Sequence, residues 1–402
     1  MKTLILTNGT IFAEDGIVEN GYVVISGDRI TAIAAGSPPV GLEGTVIDVQ
    51  RKIISPGFID MHTHGILDVD FMESSYEDTE KALSAYAKYG VTRIVATMLS
   101  NPIPAIIAQG KLLRKVKQES PIGSLMHGVH IEGPWLAPRC RGGHAAEYLC
   151  HPDKEDVAAI IDQIGDVVKT LTYAPELENA LWLTEQLDKH GIIPVFGHTE
   201  ATYEQAELAI KAGARHVTHM YDTTMGYKEN PDEALVMMPG METAVLYYDQ
   251  VSIELIGCPV HVPKPFFKFL AKVKPFDKTV IVTDSLVGTG RPDGTIITYK
   301  DGRKAYVEKG VLRMIDSDPA VNGNLTGSAV TMNVALGRLA EYAEITQHNA
   351  IKWGSYNPAV TLGIVQDTGS LKVGKFADIA VIDEDFNVFM TLMKGKTVFE
   401  KE

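Results

Sequence analysis

The apolar positions of this chain fall into two textures. From residue 1 to about 52, short runs (Leu4-Ile5-Leu6, Thr10-Ile11-Phe12, Tyr22-Val23-Val24-Ile25 and Ile30-Thr31-Ala32-Ile33) are separated by Asn8-Gly9, Asp15-Gly16 and Gly27-Asp28. Those pairs favour tight turns, so the pattern predicts small β-strands. The far end repeats it, with Ala377 to Asp383 and Val388 to Met393 ahead of a Lys394-Gly395-Lys396 turn. Strands this short do not bury both faces of a sheet alone. Both ends are therefore expected to build one small β-domain, from residues 1–52 and 361–402.

Between them, residues 53–360 alternate apolar strands with helical periodicity. Strands are expected at Phe58-Ile59, Arg93–Thr97, Met126–His130, Val168–Thr172, Ile192–Phe196, His216–His219, Val251–Leu255 and Val280–Thr283. Helical patterns run from Ser75 to Tyr89, Ile103 to Glu119, Pro175 to His190 and Thr202 to Ala212. Strand alternating with helix implies parallel strands and crossover connections. About eight strands is the number of a (β/α)8 barrel; a doubly wound open sheet is the rival.

Composition narrows the classes of function. The 402 residues carry 37 Lys and Arg against 51 Asp and Glu, a formal net charge of -14. That balance argues against a nucleic-acid partner, because nothing here neutralises a row of phosphates. An anionic substrate must be met by local cations. Three cysteines (Cys140, Cys150, Cys258) have no paired spacing, which suits a reduced cytoplasmic protein. No run approaches a membrane span or a signal segment, so neither a membrane partner nor export is expected.

The chemistry gathers at strand ends. His62 and His64 are two apart on a strand, so both rings point the same way. Glu132 ends the Val129-His130-Ile131 strand, His198 follows Phe196-Gly197, His219 follows Val217-Thr218, and Asp284 follows Val282-Thr283. In a barrel all of these lie on the carboxyl face, where active sites of that fold are found. A lone histidine after a strand is more often structural than catalytic; this many ligand-type residues at corresponding ends is a different observation. Such a set suits one or two divalent ions such as Zn²⁺ or Fe²⁺. Two ions need a bridging anion, for which Glu132 is the candidate. Water on such an ion is nucleophilic near neutral pH, and Asp284 is placed to take its proton and pass it to a leaving amine. The expected class is metal-assisted hydrolysis.

Several segments carry a family resemblance. They are Gly57-Phe58-Ile59-Asp60-Met61-His62-Thr63-His64-Gly65, His130-Ile131-Glu132-Gly133-Pro134-Trp135, Gly143-His144, Gly197-His198-Thr199, Thr218-His219-Met220, His261-Val262, Thr283-Asp284 and Leu325-Thr326-Gly327-Ser328. The chain resembles the amidohydrolase superfamily, and within it the N-acetylglucosamine-6-phosphate deacetylases. The resemblance implies a distorted (β/α)8 TIM barrel with a small β-sandwich domain from both termini. It implies hydrolysis of the acetamide of an amino sugar, commonly by a homodimer. It makes Glu132, His198 and His219 ligands of one metal, His62 and His64 ligands of a second, and Asp284 the catalytic acid/base that also touches metal. His144 and His261 would contact the sugar, and Leu325 and Gly327 would cover the acyl pocket.

The departures concern phosphate. Asp222-Thr223-Thr224 stands where the family usually has Asn-Ala-Met, and Met237-Met238 stand where it has an arginine before Pro-Gly, with only Lys228 upstream. Cys258-Pro259-Val260-His261 replaces Asp-Gly-x-His. Asp222, Thr223 and Lys228 are thus the residues expected around the substrate's far end, with Arg139 and Arg141 as replacement cations. An unphosphorylated or different N-acyl amine is the alternative substrate. His127, His151, His190, His216 and His348 are assigned to core or surface, Trp135 to packing, and the stretch with Gly288, Gly290 and Gly294 to a mobile loop.

Overall fold

A computed structural model describes residues 3–226, 228–229, 232–258, 260–299, 302–319 and 321–402, with only the backbone at 228–229. Eight strands form its central sheet: β1 (Phe58–Thr63), β2 (Val91–Met98), β3 (Met126–Glu132), β4 (Val168–Tyr173), β5 (Ile193–Phe196), β6 (His216–Val217), β7 (Ser252–Ile256) and β8 (Thr279–Val282). They lie in chain order and each neighbouring pair is parallel. The seam between β8 and β1 is held by few bonds. Asp284 N–H donates to the His62 carbonyl (2.9 Å). The Asp60 carboxylate accepts from Thr283 N–H (3.2 Å) and from the Thr283 hydroxyl (2.5 Å). The open doubly wound sheet is excluded.

The expected helices are present and start where local chemistry lets them. Ser75 caps Tyr76–Ala87 by accepting from Asp78 N–H, and Thr202 with Gln205 forms a reciprocal cap on Tyr203–Lys211. Each side chain satisfies an orphan donor of a first turn. Helix and strand meet over a large apolar cluster that includes Phe58, Ile94, Val129, Leu171, Phe196, Leu255 and Val280.

Both chain ends form one sheet in the order Lys396–Glu400, Val388–Met393, Ile379–Ile382, Ile53–Pro56, Thr3–Ala13, Gly16–Ser26, Arg29–Ala35, with Thr45–Asp48 against Thr3–Ala13. Leu6, Ile11, Val23 and Ile25 from the first strands pack with Ile54, Ile379, Val381 and Leu392. A buried ion pair, Arg93 to Asp378 at 2.9 Å, ties β2 to this domain.

Gly288, Gly290 and Gly294 lie in the turns and bends of residues 286–295, the loop expected after Asp284, and an inserted sheet follows it. Ile296–Thr298, Lys304–Glu308, Val311–Ile315 and Leu325–Ser328 make an antiparallel sheet with its own small core of Val287, Ile297, Ala305, Val307 and Leu312. Gly288 is there because a Cβ would come within 2.6 Å of Leu312. Among the described residues, no helix is long and apolar enough to cross a membrane.

Candidate active site

Strand period and register bring the six expected ligand-type residues to one point. His62 (on β1), His64, Glu132 (ending β3), His198 and His219 are all buried, and Asp284 keeps a side-chain exposure of 15%. Glu132 sits in the middle. Its Oε1 lies 3.2 Å from His198 Nε2, 3.1 Å from His219 Nε2 and 3.4 Å from His62 Nε2. Its Oε2 lies 3.3 Å from the Nε2 of both His64 and His144. Asp284 Oδ1 is 3.3 Å from His62 Nε2 and 3.1 Å from His64 Nε2.

Two of these residues hold uncommon backbone. His198 has φ +49° and Asp284 φ +47°, a left-handed region that non-glycine residues enter sparingly and often at functional positions. Each lies just past a strand end, so the turn aims the side chain back over the barrel mouth.

The proton positions indicate what belongs between these groups. His198 Nδ1 is 2.7 Å from the Cys140 carbonyl, and His62 Nδ1 is 2.9 Å from Glu254 Oε2. A carbonyl only accepts, as does an ionised carboxylate, so both Nδ1 atoms carry protons, and a metal would meet the Nε2 lone pair of each ring in its neutral form. These face Glu132 oxygens and other ring nitrogens at 3.1–3.4 Å. Lone pair against lone pair is repulsive without a cation between them. Three subsets have their donor atoms within 4.8 Å of one another: His62–His64–Asp284, His62–Glu132–His219 and Glu132–His144–His198. The donor set fits a divalent ion.

His144 differs. Its Nδ1 accepts from Ser100 N–H (3.2 Å), so its proton lies on Nε2 and points at Glu132 as a donor. Burial, with His198 and His64 nearby, lowers its pKa to about 4 against the pull of Glu132, so the ring is neutral. His64 and His219 move the other way. Burial opposes charge on His64, but Asp284 and Glu132 outweigh it and raise its pKa to about 9. His219 reaches about 9 through the same balance, against Glu132 and Asp284. Burial disfavours the Asp284 anion too, yet His62, His64 and His219 bring its pKa down to about 2. The pocket is built to hold positive charge.

Among the remaining expected residues, Asp222 lies three residues past His219, its N–H donating to the His219 carbonyl (2.9 Å). His261 has a buried Nδ1 without a hydrogen-bond partner; burial opposes its charge, but contact with Cys258 and the charges of Asp222 and Asp284 raise its pKa. Thr223 is half-buried, and a Cβ on Gly142 would come within 3.0 Å of its methyl. The Thr223 hydroxyl donates to the Asp222 carbonyl (2.8 Å). Leu325 and Gly327 lie on the last strand of the inserted sheet, whose Ser328 pairs with Ser285 beside Asp284. The Lys228 side chain is outside the described residues. Of the replacement cations, Arg139 pairs with Glu200 at 2.8 Å, and Arg141 donates one N–H to the His144 carbonyl (2.7 Å).

The sequence reading missed Ser100, the Cys140 carbonyl, Glu254 and His216. Only Glu254 left a legible signal: in Ser252-Ile253-Glu254-Leu255 a carboxylate alternates on the inward face of a buried strand.

A parallel barrel with a histidine- and carboxylate-rich carboxyl face defines a metal-dependent hydrolase class, and the sequence agrees. The pattern of the amidohydrolase family matches residues 53–398, and the chain belongs to that family. It is thus an enzyme that hydrolyses amide bonds, in a family that typically depends on divalent metal. The N-acetylglucosamine-6-phosphate deacetylase of Bacillus subtilis (strain 168) is 26% identical over 401 residues, covering 99% of this chain and 98% of the relative. The N-acetylgalactosamine-6-phosphate deacetylase of Escherichia coli O157:H7 is 27% identical, covering 98% and 99%. Among solved structures, the N-acetylglucosamine-6-phosphate deacetylase of Pasteurella multocida superposes with a TM-score of 0.87 at 28% identity, covering 98% of this chain and 99% of that one.

Proposed function

We propose that this chain hydrolyses the acetamide of N-acetylglucosamine-6-phosphate, giving glucosamine-6-phosphate and acetate. The observation that carries the reading is Glu132 between the two histidine groups with Asp284 beside them, in a chain matched end to end by deacetylases. Glu132, His198 and His219 would hold one divalent ion; His62 and His64, with Asp284, would hold a second, with Zn²⁺ or Fe²⁺ suited to nitrogen and carboxylate donors. Bound there, the metal supplies Lewis acidity and brings water's pKa towards neutrality.

The chain's own groups do the rest. Asp284 accepts a proton from water as the water oxygen bonds to the acetyl carbon. It then donates that proton to the sugar nitrogen as the C–N bond breaks, releasing amine and acetate. His144 and His261 orient the sugar and the acetyl carbonyl, and Leu325 and Gly327 cover the acyl methyl. Thr223 and Lys228 would meet the far end of the sugar. The same reading takes the enzyme as a cytoplasmic homodimer.

A second reading is favoured by Asp222, a carboxylate in the segment expected at the phosphate, and by the pairing of Arg139 with Glu200. Without an arginine fork on it, phosphate loses its strongest contact, and the substrate would be an unphosphorylated or different N-acyl amino sugar or amine. Acetate release from N-acetylglucosamine, N-acetylgalactosamine and their 6-phosphates separates these. The first reading expects kcat/KM at least a hundredfold higher on a 6-phosphate, roughly the 2.7 kcal/mol of a charge-assisted contact. Equal or greater activity on the plain sugars rejects it.

A further inference from the structure

Glu254 is a buried carboxylate that the reaction does not consume, and four polar groups converge on it. It lies on β7 with 2% exposure. Its Oε2 is 2.9 Å from His62 Nδ1, and accepts from the Thr218 hydroxyl (3.2 Å) and from His219 N–H (3.3 Å). Its Oε1 is 2.9 Å from His216 Nε2, and His216 Nδ1 reaches Ser252 Oγ at 2.7 Å. One side chain on β7 thus gathers groups from β1 and β6, the strands that end in His62 and lead to His219.

We propose that Glu254 is the positioning residue of the His62–His64–Asp284 subsite, committing His62 to the form with its proton on Nδ1 and Nε2 free for an ion. The inference rests on the two-subsite reading above. Ionised, Glu254 can only accept, so the His62 proton facing it must lie on Nδ1. A histidine ligand held in this way has its ring orientation and basicity set by the partner behind it. His64 cannot do the same work, because its Nδ1 is buried with no hydrogen-bond partner. The other subsite has its own support, the Cys140 carbonyl behind His198, and touches Glu254 only through the backbone N–H of His219, not through a ligand ring. Glu254 should therefore act chiefly on the ion held by His62. Glutamine in its place keeps the shape but turns half of the acceptor into a donor, which faces either His62 or His216.

The test compares wild-type and Glu254→Gln full-length protein dialysed against graded free zinc, with bound metal counted by mass spectrometry. The wild type is expected to take two ions. E254Q should keep the first at wild-type affinity and bind the second about 10–100-fold more weakly. In a His62→Gln background, E254Q should change metal binding no further. Wild-type affinity for both ions in E254Q overturns the proposal, and so does equal weakening of both, which would mark general damage. Nitrogen-15 histidine spectra of the unmutated protein provide the second measurement, whether or not E254Q folds. A proton on His62 Nδ1 is expected, and one on Nε2 overturns the assignment. If the wild type takes only one ion, the two-ion reading fails, while the His62 spectrum still decides the role of Glu254.

Discussion

Replacing Asp284 by Asn isolates proton transfer from architecture. Asparagine matches aspartate in size and tolerates left-handed backbone better than most residues, so φ +47° adds little strain. The Asp284 N–H bond to the His62 carbonyl, which closes the β8–β1 seam, is untouched. What disappears is the acceptor for water's proton and one negative charge 3.1 Å from His64. Positioned general acid–base catalysis contributes about 10²–10⁴-fold, or roughly 3–5.5 kcal/mol of barrier. D284N should therefore lose at least a hundredfold in kcat, measured as acetate release at saturating substrate. The melting temperature should hold within a few degrees and the metal of the Glu132–His198–His219 group should stay bound. A kcat within tenfold of wild type, with metal content matched, would falsify the assignment of Asp284 as the proton carrier.

Gly197→Ala places a Cβ 2.1 Å from the Thr218 methyl, and Thr218 cannot swing away freely because its hydroxyl is held between His62 and Glu254. Overpacking of about 1–3 kcal/mol is expected, with weaker zinc binding; calorimetry and metal counting check both. Asp60→Asn puts an amide against the two donors of Thr283. An unsatisfied buried donor costs about 1–3 kcal/mol, so denaturant melts should show that loss together with reduced kcat from a displaced Asp284. Glu14, which pairs with Lys372 and Lys375, has its pKa lowered to about 2; its partial burial opposes this, but those lysines and Ser370 outweigh it. Its folded pKa lies below the unfolded value, so its contribution is present above about pH 4.5 and lost as pH falls toward 2. Glu14→Gln should cost about 1–2 kcal/mol at pH 7 after solvent screening, and urea melts should show a smaller gap from wild type at pH 3 than at pH 7.

The barrel was legible because its strands are short apolar runs whose flanking helices keep a clear 3.6 period. Its ligand set was legible because each member follows directly on a strand, so the position of His198 or His219 needs only local sequence. The partners behind those ligands are another matter. Glu254 meets His62 across 192 residues, and Cys140 meets His198 across 58. Such contacts depend on strand stagger and on loop paths that no local pattern encodes. His216, assigned to the core on sequence, is buried there, but as a partner of Glu254. The loop at Gly288, Gly290 and Gly294 was legible, but the sheet after it was not, because Ile296–Thr298, Lys304–Glu308 and Val311–Ile315 are short and only partly buried.

The terminal sheet also sets a timetable for the newborn chain. Ile53–Pro56 pairs on one side with Thr3–Ala13 and on the other with Ile379–Ile382. The second partner is made roughly 320 residues after Ile53–Pro56 itself, about 15–65 s later at ordinary elongation rates. Throughout that interval an apolar strand stands with an open edge on the ribosome, which is the template on which chains pair wrongly. Synthesis speed and chaperone supply, more than the stability of the finished barrel, should then govern how much of this enzyme a cell recovers.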